Sequence, residues 1–179
     1  NLLDFEAAAT TTPFQYFGST LDGQLSSTIA NPNASGINTS ANVLKFIKPA
    51  ASQTWAGAFS NPNPGTPVNL SAGGTIKVKV HTDHPGNMVV KLEDSPTGGP
   101  VWALQQDITT TNEWVELSFD ASLPSFEAPN QPASGHIYNR VVIFFDFGTS
   151  PTVEQVYYCD DFKVCTSGGT PTAAVEFKV

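Results

Sequence analysis

Charge is scarce in this 179-residue chain: 13% of its residues are Asp, Glu, Lys or Arg. Basic residues are the scarcer half, 8 Lys and Arg against 16 Asp and Glu, giving a formal net charge of −8. Phosphate binding needs a basic footprint, so this balance excludes a nucleic-acid partner. Cysteine is limited to Cys159 and Cys165. In an extended run their separation is roughly 20 Å, beyond the roughly 7 Å Cα limit for a disulfide. A bridge would require the chain to fold back after Val164, so cysteine usage says little about the compartment. No apolar run approaches the roughly 18 residues of a spanning helix, and membrane insertion is not expected. Helical periodicity of useful length and internal repeats are missing as well. Asn1 leads almost directly into a strand-like segment, and no signal peptide is visible.

What the chain does have is alternation. From Thr75 to Phe119 the runs TIKVKVHTD, NMVVKLED, VWALQQDI and NEWVELSFD place apolar residues at every second position. Gly, Pro, Asn and Thr clusters separate them. A period of two with such punctuation predicts antiparallel strands with one buried and one solvated face. The outward residues of this block include lysines, His81 and Glu93, and the block is expected to form one ligand-binding floor.

Around it, Leu2, Leu3 and Phe5 predict a short first strand closing at Glu6. A loop-rich stretch with Phe14, Tyr16 and Phe17 follows. Further strands are expected over Leu25 to Ala30, in NVLKFIKP, and from Trp55 to Ser60. The irregular SLPSFEAPNQPASGHIYN is longer than the roughly 12–15 residues usual for a connection in a compact domain. After it come RVVIFFDFG, apolar from Val141 to Phe147 except for Asp146, and QVYYCDDFKV. Residues 166–179 read as a linker with the start of another module or a tail. About ten strands, with 40% hydrophobic residues to fill a core, predict one all-β domain over 1–165. Its expected architecture is a two-sheet antiparallel β-sandwich of jelly-roll type. Low charge density and abundant Thr, Ser and Asn point to a secreted protein. The sequons at Asn33, Asn38 and Asn69 matter only in a eukaryotic host.

Three segments carry a resemblance. NLLDFE, SGINTSANVLKFIK and YYCDDFKV resemble the first, an early and the last strand of jelly-roll carbohydrate-binding modules, the family 4 group and its relatives. The middle, with NEWVELSFD and VVIFFDFG, is similar to modules of polysaccharide-degrading proteins of marine Bacteroidetes, which accompany laminarinases or surface glycan-binding proteins. Cys159 and Cys165 depart from that pattern. The resemblance implies a non-catalytic, monomeric module within a larger protein, binding a β-glucan such as laminarin. It also implies a structural calcium ion joining the first and last strands, held by Glu6 and by Asp160 rather than Asp161. Carboxylates at both ends of the domain repel unless bridged, and Ca²⁺ takes six to eight oxygen ligands.

A pyranose stacks its C–H face on an aromatic ring while its hydroxyls bond to polar neighbours. Trp55, followed by Ala56, Gly57 and Ala58, has room beside its ring for a sugar; the alternative is a tryptophan capping the core. Trp102 stands equally between the two roles, and Trp114 is expected to pack inside. Lys91 and Glu93 share one strand face and suit vicinal hydroxyls, or simply pair with neighbours. His81 is placed beside them, although a lone histidine is more often solvated. Asp146 interrupts an apolar run, so it faces either the groove or a lysine such as Lys91. A catalytic pair of Glu93 and Asp146 is the enzymatic rival. No Glu-x-Asp-x-x-Glu run, nucleophile elbow, His-rich metal motif or Gly-rich phosphate loop supports catalysis. A purely structural or adhesin-type module is the remaining alternative.

Overall fold

The computed structural model describes residues 3–6, 14–19, 25–60, 68–70, 74–95, 101–125 and 137–165. Twelve strands run through them: β1 (Phe14–Phe17), β2 (Ser26–Ala30), β3 (Asn42–Lys48), β4 (Gly57–Ser60), β5 (Val68–Asn69) and β6 (Thr75–His81) come first. β7 (Gly86–Glu93), β8 (Val101–Ile108), β9 (Val115–Asp120), β10 (Ile137–Tyr138), β11 (Arg140–Phe145) and β12 (Gln155–Cys165) follow. One sheet has the order β1-β4-β11-β7-β8, the other β2-β3-β12-β6-β9, and β5 pairs with β10. Every pairing is antiparallel. This is the expected two-sheet sandwich.

Alternation builds the core. Ile76, Val78 and Val80 of β6, Met88, Val90 and Leu92 of β7, and Leu44 and Phe46 of β3 point between the sheets and are fully buried. Trp102, Ile143, Phe145, Tyr157 and Phe119 fill the space between them. At roughly 25 cal/mol per Å² of apolar surface removed from water, these side chains supply most of the drive to fold.

Three expectations are corrected. The block from Thr75 to Phe119 is not one floor: β6 and β9 belong to one sheet, β7 and β8 to the other. The segment between His81 and Gly86 crosses between sheets instead of closing a hairpin, which separates the outward faces of β6 and β7. The stretch with Phe14 and Phe17 is a strand, paired along β4 from Phe14↔Ser60 to Phe17↔Gly57. Four residues are too few for alternation to stand out, and the partner lies about forty residues on. The first strand shrinks to a single bridge, Leu3↔Phe162, among the described residues. Phe5 beyond it turns into the left-handed region at φ 55°. Both cysteines are free thiols, Cys159 buried and Cys165 partly so. Residues 166–179 lie outside the described residues.

Candidate functional site

The outward face of the first sheet is apolar at its centre and polar towards its edges. Register places Gln15, Phe59, Val142, Lys91 and Ala103 in one row across it, and Phe17, Gly57, Phe144, Val89 and Gln105 in the next. Arg140 and Glu93 stand opposite each other in a third. Val89, Ala103, Val142 and Phe144 form a second buried cluster here, covered by Phe17, Phe59 and Phe147. Gly57 is required by this packing. A Cβ there would lie 2.6 Å from the Ile143 carbonyl oxygen and 2.7 Å from Cδ1 of Phe144. The missing side chain lets the Phe144 ring lie over β4.

A cleft of about 290 Å³ opens on this face, lined by Phe17, Trp55, Phe59, Lys91, Glu93, Val142, Phe144 and Phe147. Trp55 sits in the turn before β4, not at the start of the strand, and is 50% exposed. Phe17 backs its indole, with centroids 6.1 Å apart and planes inclined by 19°. The Phe59 ring is already taken: the Arg140 guanidinium carbon lies 4.6 Å from its centroid. Arg140 Nη1 donates to Glu93 Oε1 at 3.2 Å, and Lys91 Nζ lies 3.6 Å from Glu93 Oε2. One carboxylate thus sits between two cations at the rim of an aromatic pocket. These side chains are 17–25% exposed, and ion pairs that water still reaches stabilise by about 1 kcal/mol or less, so folding stability is a weak reason for this arrangement. As a site it offers a flat apolar platform beside a fixed set of donors and acceptors.

Of the residues singled out in the sequence, Trp55, Lys91 and Glu93 meet in this cleft. Trp102 does not; it is fully buried between the sheets, and its Nε1 donates to the Leu123 carbonyl at 3.4 Å. The alternation of β8 turns it inward, because it pairs with the core residue Leu92. His81 lies on the second sheet, 8% exposed, with Trp114 and Tyr158 around it at 5.5 and 6.0 Å between centroids. Burial lowers its pKa. Trp114 is buried as expected and donates to the Asn33 carbonyl at 2.8 Å.

Asp146 does not face the groove either. Its Oδ2 accepts the Tyr157 hydroxyl proton and its Oδ1 the Asn87 N–H at 3.1 Å. The lysine beneath it is Lys48, fully buried, whose Nζ donates to the backbone carbonyls of Phe145 and Asp146 at 2.9 and 2.5 Å. Burial lowers the Lys48 pKa to about 8, against the pull of the Asp146 charge. The carboxylate has partners, so it needs no ligand. Asp146 also follows Phe145, which pairs with Met88, while Glu93 pairs with Arg140. At about 3.3 Å per residue the two carboxylates are roughly 20 Å apart along the sheet, against about 5–9.5 Å in glycosidases.

Glu6 and Asp160 lie at a separate place. Asp160 is fully buried on β12, where the pairing with β6 breaks register between Asp160 and Lys163. Its Oδ1 accepts the Asp161 N–H at 2.8 Å, while its Oδ2 has no hydrogen-bond partner among the described residues. Burial pushes its pKa up to about 6, with the polar side chains of Ser40 and Asn38 pulling the other way. Asp161 turns outward to Lys79 and Lys163, at 2.6 and 3.2 Å. Glu6 is exposed and accepts the Asn42 N–H at 3.1 Å. Both carboxylates therefore abut residues 38–42. An orphaned, buried carboxylate oxygen beside amide and hydroxyl oxygens fits a hard cation such as Ca²⁺. Among the described residues no group of three His, Cys, Asp or Glu side chains converges, so neutral oxygens would complete the shell.

No protein-family model matches the sequence, and no curated protein does. Solved structures do match. An exo-β-agarase aligns with a TM-score of 0.64 over 94% of this chain at 10% identity, and the chain spans 26% of that protein. TmCBM61, solved in complex with β-1,4-galactotriose, aligns at 0.54 and 12% identity, over 92% of this chain and 94% of its own. The family 11 carbohydrate-binding module of the cellulase Lic26A-Cel5E of Clostridium thermocellum gives 0.54 at 12% identity, over 93% and 94%. The fold is the two-sheet jelly-roll sandwich shared with these structures. Identities this low establish the architecture alone.

Within the jelly roll, sequence reasoning missed Phe17, Phe59, Arg140, Phe144 and Phe147. Alternation hides Phe144, because β11 is apolar on both faces. A run apolar at odd and even positions, in a sheet with one face expected in solvent, was the available signal for a covered outer face.

Proposed function

We propose that this chain is a non-catalytic polysaccharide-binding module that takes its glycan in the cleft of the first sheet. The observation that carries the reading is Trp55: a half-exposed indole, backed by Phe17, beside Lys91, Glu93 and Arg140. The ring offers a stacking face for the apolar side of a pyranose, and the charged trio offers donors and acceptors for its hydroxyls. The separation of Glu93 and Asp146 supports a binding role over a glycosidase. Similar structures described as carbohydrate-binding modules support the same class.

For the ligand we propose a neutral β-glucan such as laminarin, on the resemblance of the strand motifs and on the near-balance of charge in the cleft. The module would act outside the cell, holding an attached enzyme or surface protein on its substrate. Affinity electrophoresis against laminarin, mixed-linkage glucan, xylan, alginate and agarose tests both levels. Retardation by laminarin supports the full reading, and retardation by another glycan alone keeps the module but changes the ligand. Free migration through all five rejects glycan binding in favour of a structural module whose aromatic face is covered by a neighbouring domain.

We also propose a structural Ca²⁺ at Glu6 and Asp160, joining residues 3–6 to β12. The ion would supply charge to the orphaned Asp160 oxygen and bind the folded state alone.

A further inference from the structure

Asp146 is a residue with an unusual backbone and well-defined tethers on both its carboxylate and its main chain. It is not glycine, yet its φ is 46°, in the left-handed region where L side chains are uncommon. It is 8% exposed, and its carboxylate is held on both oxygens, by Tyr157 and by the Asn87 N–H. Its carbonyl receives the Lys48 ammonium and the Thr149 N–H at 3.0 Å. The Tyr157 hydroxyl also lies 2.8 Å from His84 Nε2 and 2.9 Å from Gln155 Oε1. Gly86 leaves the space: a Cβ at that position would fall on the Asp146 carboxylate.

The tethers lead directly to the cleft. The next residue, Phe147, is held by Asn87 through both backbone groups: Phe147 N donates to Asn87 Oδ1 at 2.9 Å, and Asn87 Nδ2 donates to Phe147 O at 3.2 Å. Gly148 N then donates to the carbonyl of Thr54 at 2.9 Å, immediately before Trp55. Phe147 lies edge-on against Phe144 at 5.3 Å. A cluster of buried polar groups between the sheets thus ends on two aromatic walls of the outer cleft.

We infer that Asp146 is a positioning residue for the cleft: with Tyr157, Lys48 and Asn87 it fixes the turn that carries Phe147 and pins the Trp55 loop. The inference rests on the reading of the cleft as the glycan site. Its physical basis is pre-organisation. A turn held in a sparsely populated conformation by satisfied buried hydrogen bonds presents its aromatic rings without ordering them on binding.

Three variants separate this role from simple stability. Asp146→Gly keeps the left-handed backbone without strain and removes both carboxylate tethers. Tyr157→Phe keeps the ring, stacked 4.3 Å from Phe145, and removes the hydroxyl. Asp146→Asn tolerates the same φ and retains an acceptor for the Asn87 N–H. Two readouts are taken well below the melting temperature: acrylamide quenching of tryptophan fluorescence without glycan, and retardation by laminarin. Quenching reports on Trp55, because Trp102 and Trp114 are buried at 0% and 5% exposure. Asp146→Gly and Tyr157→Phe are expected to raise the quenching constant by half or more and weaken laminarin binding at least fivefold, with Asp146→Asn restoring most of both. Wild-type quenching in the first two variants overturns the inference, whether or not the wild type binds laminarin. Altered quenching together with a wild type that ignores every glycan upholds the positioning role and rejects the glycan reading.

Discussion

Three tryptophans divide by exposure, and that difference sets what each substitution does. Trp55 is 50% exposed and contributes to a surface, so Trp55→Ala removes a platform without emptying the core. Laminarin affinity is expected to fall at least tenfold, about 1.4 kcal/mol, with the melting temperature within a few degrees of wild type. Trp102 and Trp114 behave the other way. Emptying a packed indole site costs about 3–5 kcal/mol, which in a domain of this size lowers the melting point by on the order of 10 °C. Paired titrations and thermal melts on Trp55→Ala and Trp102→Ala decide the matter. A Trp55→Ala variant that binds normally but melts early would place the sugar somewhere other than this cleft. Asp146 shows how residue type alone misleads: the sequence marks it as costly to bury, which is correct, but the partners that accommodate its carboxylate are the Tyr157 hydroxyl and the Asn87 N–H, not Lys91 or a ligand.

At the scale of the strand, faces were legible and neighbours were not. Alternation in TIKVKVH and NMVVKLE identifies Val78 and Val90 as inward, because a side chain's face depends only on parity along its own strand. Which strand lies alongside depends on the path of the connections, and there the sequence is quiet. The few residues from His81 to Gly86 read equally as a hairpin or as a crossing between sheets, and the crossing is what separates His81 from Lys91. The short β1 escaped notice for a related reason: its pairing with β4 is fixed by the register of a distant segment. Gly57 tests that register. Gly57→Ala forces a methyl into the Ile143 carbonyl and the Phe144 ring, and overpacking of this kind costs about 1–3 kcal/mol. The expected result is a lower melting temperature together with weaker laminarin binding, since Phe144 lines the cleft. Melts and affinity electrophoresis on the one variant check both, and an unchanged melting point would show that β4 and β11 have slack at this position.

At the scale of the molecule, residues 3–6 and β12 close the sandwich at one place, through the Leu3–Phe162 bridge and the rings of Phe5, Phe14 and Phe162, 6.3 to 6.4 Å apart. Asp160 lies buried beside that closure, and its raised pKa gives the proposed calcium a definite pH signature. The folded state holds the Asp160 proton more tightly than the unfolded chain, at about 6 against the ordinary aspartate value of 3.8. Stability carried by the protonated form is therefore complete below the unfolded value and is lost as pH rises through about 6. Comparing wild type with Asp160→Asn in chelator isolates this carboxylate from all the others. Their melting temperatures should differ least near about pH 4, and the Asn variant should gain on wild type as pH rises, levelling off at about pH 7. Calcium reverses the order. An ion that binds only the folded state stabilises the ionised wild type by RT ln(1 + [Ca²⁺]/Kd), while the variant, lacking the charge, gains little. Differential scanning fluorimetry from pH 4 to 8, with chelator and with millimolar calcium, reads both effects on the same two proteins. A pH-independent gap in chelator would mean that Asp160 finds a partner for its second oxygen, and equal melting of wild type with and without calcium would remove the ion from this closure.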